Sequence, residues 1–233
     1  MERKIVIPGD VVSDNIKMSG SGTYVHGDEV RASVYGLLNI GERYISVIPL
    51  AGKYIPHASD RVIGIITEVV YSNWIVDINS PYEGLLHISQ YPRRIDAENM
   101  SRYLKVGDSI LTMVASVDAG MKVELTLREK ELRVLSNGRI VMINPTKMPR
   151  VIGRNGSMIR LLKSEIGCNM FVGQNGRIWI NGSDDCVDLA IQTVRYIEDN
   201  AHTPGLTERV QAFLKAKEKT RYGRVHESRN DEE

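Results

Sequence analysis

Several features that would name a chemistry are scarce or missing in the 233-residue sequence. Its two cysteines, Cys168 and Cys186, are too few for a disulfide framework or a four-ligand zinc site. No close His pair and no His-Glu-x-x-His helix supplies a metal centre in their place, so two ordinary buried thiols are expected. No stretch approaches a membrane span, and the start "MERKIVIPGD" sets a glutamate, two cations and a Pro-Gly turn where a signal peptide needs an apolar run. A cytoplasmic protein without a membrane partner is the expectation. Neither sign of charge dominates: 30 Lys and Arg stand against 29 Asp and Glu, so any case for nucleic acid rests on local clustering. Also missing are a Walker loop, a Gly-x-Ser-x-Gly elbow and a carboxylate constellation for two magnesium ions. Asp184 and Asp185 are adjacent acids at a helix start, where the helix dipole accounts for them. A binding module without a cofactor is favoured over an enzyme.

What is present divides the chain. With 42% hydrophobic residues it can build one large domain or two to three small ones. Residues 5 to 57 alternate short β-branched runs ("KIVIPGDVV", "RASVYGLL", "RYISVIPL") with glycine turns, which suits a small antiparallel β domain over residues 1–58. "RVIGIITEVV", "WIVDI", "EGLLHIS", "SILTMVASVD" and "KVELTLR" then make five candidate strands, with a long polar connection at 90 to 105. That pattern predicts an OB-type barrel over residues 59–130.

After the linker "EKELRVLSNG" the period changes. "RIVMINP" reads as a strand and "TKMPRVI" as a short helix, with Thr146 as N-cap and Pro149 in its first turn. "SMIRLLKSEIG" reads as an amphipathic helix with Met158, Ile159, Leu161, Leu162 and Ile166 inward and Gly167 at its C-terminal stop. "NMFVGQNGRIWING" reads as a hairpin around Asn175-Gly176, and a helix capped by Ser183 follows. The third unit, residues 131–203, therefore runs strand, helix, turn, helix, strand, strand, helix. Residues 204–233 add a helix, about Thr207 to Tyr222, with a thin stripe of Val210, Phe213 and Leu214, and a tail "HESRNDEE".

The stretch "VIGRNGSMI" carries the first site. Between two helices, Gly153-Arg154-Asn155-Gly156 lets backbone approach backbone and leaves amide N–H groups at the start of the second helix, a seat for phosphate. From Arg139 to Ser164 there are six cations (Arg139, Lys147, Arg150, Arg154, Arg160, Lys163) and no acid, so a polyanion is attracted and binding is expected to weaken with salt. The turn and the order of elements around it resemble the KH domain, whose GXXG loop clamps the backbone of about four nucleotides of single strand.

In the barrel, Tyr71, Trp74 and His87 are candidates for one exposed face on which bases stack, and Arg93, Arg94, Arg102 and Lys105 are candidates for phosphate contacts. A place for Trp74 in the barrel core is the alternative. "VVYSNWIVDI", "EGLLHIS", "KVGD" and "MKVELTLRE" resemble the S1 RNA-binding domain, with Tyr and Trp where phenylalanines are common and Ser72-Asn73 where a glycine commonly follows the first aromatic.

The N-terminal strings "VIPGD", "GSGTY" and "PLAGKYIPHASDRVIG", the S1-like barrel and a single KH-like unit together resemble the RNA-binding cap subunits of the archaeal exosome, the ribosomal RNA-processing protein 4 family. The resemblance implies an N-terminal domain that docks on a hexameric ring of RNase PH-like subunits, a trimeric cap of one or mixed kinds, and capture of single-stranded RNA. It also implies threading of the 3′ end through a central pore to phosphorolytic sites in the ring, the cap itself being no nuclease. The sister cap subunit with a zinc ribbon is disfavoured by the two cysteines. A bacterial-type transcription elongation and termination factor, which places an S1 domain before paired KH domains, is the alternative.

Overall fold

β-branched runs of only a few residues, cut by glycine turns, can form nothing longer than short strands, and the first fifty residues do so. The computed structural model describes residues 4–203 and 205–217, and the chain separates into two compact units between Lys53 and Tyr54.

The first unit holds β1 (Ile5–Val6), β2 (Val11–Ser13), β3 (Thr23–His26), β4 (Glu29–Ala32), β5 (Gly36–Ile40) and β6 (Ile45–Pro49). They form two three-stranded sheets, ordered β1-β5-β6 and β2-β4-β3. Its core is small: Val6, Ala32 and Val47 are buried, with Val12, Val34 and Leu38 packed against them. Cross-strand register sets Ile5 beside Leu37 and Leu37 beside Ile48 on the opposite face of the first sheet. Antiparallel sheets with one solvated face ordinarily alternate apolar inside with polar outside. Here the outer row is apolar, and Ile5 and Ile48 are 56% and 49% exposed.

In the second unit the expected barrel is formed by β7 (Arg61–Val70), β8 (Asn73–Asp77), β9 (Gly84–His87), β10 (Ser109–Val117) and β11 (Val123–Thr126), with a short helix α1 (Met100–Tyr103) in the long connection. The order β11-β9-β8-β7-β10, closed by β10 on β11, makes a five-stranded barrel of OB type. The expected linker is not structureless. Arg133–Leu135 form β12, pairing with β10, because Leu135 finds a buried place beside Ser109 while Arg133 and Val134 stay outside.

The rest of the unit follows the predicted order: β13 (Arg139–Met142), α2 (Met148–Ile152), α3 (Ser157–Ile166), β14 (Asn169–Val172), β15 (Arg177–Asn181) and α4 (Asp184–Asp199), with sheet order β13-β15-β14. Asn144, not Thr146, caps the first turn. Its Oδ1 accepts from the Thr146 N–H at 3.0 Å and the Thr146 hydroxyl at 2.8 Å, and a 3-10 turn Pro145–Lys147 leads into α2. Gly167 ends α3 in a left-handed conformation, and Ser183 stands at the N-cap of α4 without a side-chain cap bond. A last helix, α5, runs from 206 to the last described residue, 217. It buries Leu206, Val210 and Leu214 in the KH-type core, while Phe213 stacks on Tyr196 at 4.6 Å between centroids. Residues 218–222 of the expected helix and the tail lie outside the described residues. Burial and the neighbouring Cys186 push the Cys168 thiol up to about 11, so it stays protonated at neutral pH.

Alternation along the KH-type sheet joins it to the barrel. Val141, Met170, Ile178 and Ile180 face its own helices, while Ile140, Phe171 and Trp179 pack on the barrel core. The hairpin tip enters the same seam: Asn175 is fully buried and its amide nitrogen donates to the carbonyls of Ile63 and Ile78, both at 2.8 Å. Arg177, also buried, donates to the Asp77 carbonyl at 2.6 Å and to the Asp77 carboxylate at 2.5 Å. A buried guanidinium is tolerable only with such partners.

Candidate nucleic-acid interface

The glycine turn is built as its spacing requires. Gly153 has φ 74°, and a Cβ there would lie 2.6 Å from the Met158 amide nitrogen, so only glycine lets α2 pass so close to the start of α3. Asn155 takes a left-handed conformation (φ 50°), which asparagine tolerates, and Arg154 and Asn155 are exposed at the tip. Arg150, Gly153, Arg154 and Ser157 line a cleft of about 330 Å³, and Gly205, Thr207 and Glu208 at the start of α5 close its other side. Guanidiniums beside the first turn of a helix favour an anion there.

The acid-free patch is acid-free in sequence but not in space. Arg139 pairs with Asp188 at 2.8 Å and Asp184 at 3.4 Å. Lys147 is half-buried and donates to the Glu198 carbonyl at 2.9 Å near the end of α4, so it serves the fold and is withdrawn from the turn. Arg150, Arg154, Arg160 and Lys163 are the members left exposed without a carboxylate partner among the described residues.

The barrel corrects a further expectation. Trp74 has no exposed surface; it packs inside the barrel against Tyr91, and its indole N–H donates to the Leu104 carbonyl at 3.2 Å. Its ring has no face for a base. The strand alternation that turns Trp74 inward with Val76 leaves Tyr71, at the β7–β8 turn, 89% exposed. His87 is exposed and pairs in register with Asn73. Its Nδ1 accepts from the Ser89 amide at 3.1 Å, which assigns the proton of the neutral ring to Nε2 and leaves that N–H as a donor.

His87 lines a cleft of about 600 Å³ with Ser72, Asn73, Ser89, Gln90 and Lys122. Lys122 is the member that pattern reading missed. The signal was the alternation in "MKVELTLRE", which puts Val123 and Leu125 inside and Lys122 and Glu124 outside. Arg93, Arg94, Arg102 and Lys105 are all exposed; Arg93 and Arg94 line a separate hollow, whereas Arg102 and Lys105 join neither it nor the barrel cleft. Both clefts are open and polar, as suits an unpaired nucleic-acid strand, and each sets an acid beside its cations: Glu208 across from Arg150 and Arg154, and Glu124, which Lys122 meets at 3.4 Å, in the barrel cleft.

Comparison with known proteins matches three segments of the chain. Residues 3–51 match the exosome RNA binding protein RRP4 N-terminal domain, residues 53–116 the RRP4 S1 domain and residues 138–196 the KH domain. The chain is 54% identical over 215 residues to exosome complex component Rrp4 of Methanosarcina barkeri, covering 92% of this chain and 83% of that protein. With the protein of the same name from Methanococcoides burtonii it shares 45% over 233 residues, 100% of this chain and 88% of the other. A crystal structure of an exosome complex RNA-binding protein aligns with TM-score 0.67 and 37% identity over 73% of this chain and 99% of that one. Three matched domains in order, with identity of this extent over nearly the whole length, place the chain in the Rrp4 family of exosome complex components.

Proposed function

We propose that this chain is a non-catalytic RNA-binding cap subunit of an archaeal exosome. Three cap copies, of this chain alone or mixed with another kind, sit on a hexameric ring of RNase PH-like subunits in the cytoplasm. They gather single-stranded RNA and lead its 3′ end through the central pore to phosphorolytic sites in the ring. The observation that carries the reading is the open glycine turn, with Arg150 and Arg154 at its cleft, borne on the same compact unit as the barrel cleft of His87 and Lys122. Docking belongs to the first unit: the row of exposed Ile5, half-buried Leu37 and exposed Ile48 is continued by the exposed Ile7, Tyr35 and Leu50, an apolar sheet face of the kind that marks a protein interface.

The transcription-factor alternative carries paired KH domains, whereas the family match here includes one, preceded by the RRP4-type N-terminal domain. The test is to mix the purified chain with RNase PH-like ring subunits and measure the mass of the assembly. Alone, the chain should bind single-stranded RNA and leave it intact with phosphate and magnesium present. A chain that ignores the ring, or that shortens RNA unaided, contradicts the reading.

A further inference from the structure

Arg93 and Arg94, from the connection after β9, and Arg128, just beyond β11, face one hollow of about 340 Å³ whose wall is completed by Ser89, Tyr91 and Ile95. The three arginines are exposed, no acidic residue lines the hollow, and none of the three has a carboxylate partner among the described residues. The acids closest to Arg128 in sequence are engaged elsewhere: Glu129 and Glu131 both pair with Arg61. Surfaces ordinarily mix the two signs, so convergent guanidiniums without a counter-charge call for an external anion.

Arg128 is held in place. The Leu127 amide donates to the Gln90 carbonyl at 3.0 Å, tying the end of β11 to the 3-10 turn Ile88–Gln90, and the Arg128 amide donates to the Thr126 hydroxyl at 3.2 Å. That same turn supplies Ser89, which lines both this hollow and the barrel cleft of His87. The two hollows are therefore adjacent, with Ser89 in the wall of both.

We propose that Arg128, with Arg93 and Arg94, forms a phosphate-binding extension of the barrel cleft that grips the RNA backbone beyond the stretch lying on the barrel face. The inference rests on the RNA-binding reading above and adds a residue and a direction to it. Guanidinium forks match phosphate oxygens, and a wall shared with a cleft whose polar lining is hydroxyl, amide, imidazole and the Lys122–Glu124 pair favours a nucleic-acid strand over an acidic protein segment.

The test uses the full chain and fluorescein-labelled single-stranded oligoadenylate and oligouridylate, with affinity followed by anisotropy over a series of potassium chloride concentrations. Arg128→Gln should make the plot of log affinity against log salt shallower by about 0.7, the share of one phosphate contact on a single strand. The change should be equal for both oligomers, with the unfolding midpoint unmoved. Replacing all three arginines by Gln should remove about 2 from the slope. If Arg128→Gln leaves affinity and slope unchanged while Arg154→Asp still weakens binding, the extension is refuted and the RNA-binding reading stands. Unchanged RNA binding with weakened assembly on the ring would assign the hollow to acidic protein and equally refute it. A wild-type chain that binds neither oligomer overturns both.

Discussion

Gly153-Arg154-Asn155-Gly156 and Gly173-Gln174-Asn175-Gly176 share one pattern, glycine, a long polar residue, asparagine, glycine, and have opposite fates. In the first turn Asn155 is exposed beside a cationic cleft; in the second Asn175 has no exposed surface and is bonded to two barrel carbonyls. Glycine serves both by permitting close approach. A Cβ at Gly176 (φ 82°) would lie 2.5 Å from the Ile143 carbonyl oxygen, as one at Gly153 would strike the Met158 amide. The flanks make the difference. The first turn joins two helices whose inner faces are already filled, so its tip can only point outward. The second joins two strands whose outer positions, Phe171 and Trp179, are apolar and must be covered, which drives the tip between them into the barrel. The motif sets the shape of the backbone; the faces on either side decide what that shape meets.

Exchanging the asparagines tests this most severely. Asn175→Ala takes the side-chain donor from the Ile78 carbonyl and the side-chain acceptor from the Ile63 amide, while the Ile63 carbonyl keeps Arg177, and is expected to cost about 3 kcal/mol. That corresponds to a fall of about 6 to 12 °C in Tm for a chain of this size. Asn155→Gly, in a left-handed position that glycine adopts freely, should stay within about 0.5 kcal/mol. Equal losses in thermal melts would end the contrast between the turns. A smaller effect is expected where the same inward and outward division separates Val47 from Ile48: Ile48→Glu should weaken assembly on the ring by about tenfold or more while RNA affinity holds, read by mass measurement of the mixture. Next comes the exposed turn itself. Arg154→Asp with Asn155→Asp should lower RNA affinity by about tenfold and flatten its salt dependence, with the unfolding curve unchanged. A normal salt slope in that variant would move binding away from the turn.

Much of this arrangement was legible in the strings. The five barrel strands, the order of the KH-type elements and the stop at Gly167 follow from alternation, helical spacing and glycine placement, all local properties. What escaped were consequences of three-dimensional neighbours. Asn175-Gly176 reads as an ordinary hairpin tip, and nothing local says that a barrel lies on top of it. The cation patch loses Arg139 to acids of α4 and Lys147 to a carbonyl near that helix's end, both supplied from some 45 residues or more away in the chain. Asn144 displaced Thr146 as the cap because Pro145 opens a 3-10 turn that moves the start two residues earlier, a shift within the ordinary uncertainty of helix ends. Trp74 was the fully ambiguous case, since a lone aromatic on a short strand suits a core and a stacking platform alike.

Tyr71 and Trp74 repeat the contrast of the two turns on a smaller scale and supply its finest test. They are three positions apart, yet the turn at the end of β7 leaves the Tyr71 ring in solvent and the inward phase of β8 sends Trp74 to the core. Stacking between an exposed ring and a base is worth about 1 to 3 kcal/mol by alanine substitution, and a ring without fixed neighbours is at the low end of that range because it must be ordered on binding. Tyr71→Ala should therefore reduce RNA affinity about fivefold, near 1 kcal/mol, and leave stability within about 0.5 kcal/mol. Tyr71→Phe should restore the affinity, because stacking uses the ring and not the hydroxyl. If phenylalanine fails where tyrosine works, the contact is a hydrogen bond from the phenol; if alanine binds as well as tyrosine, the strand crosses the barrel by His87 and Lys122 alone. Either result would confine the division between buried and ligand-facing residues to the glycine turns.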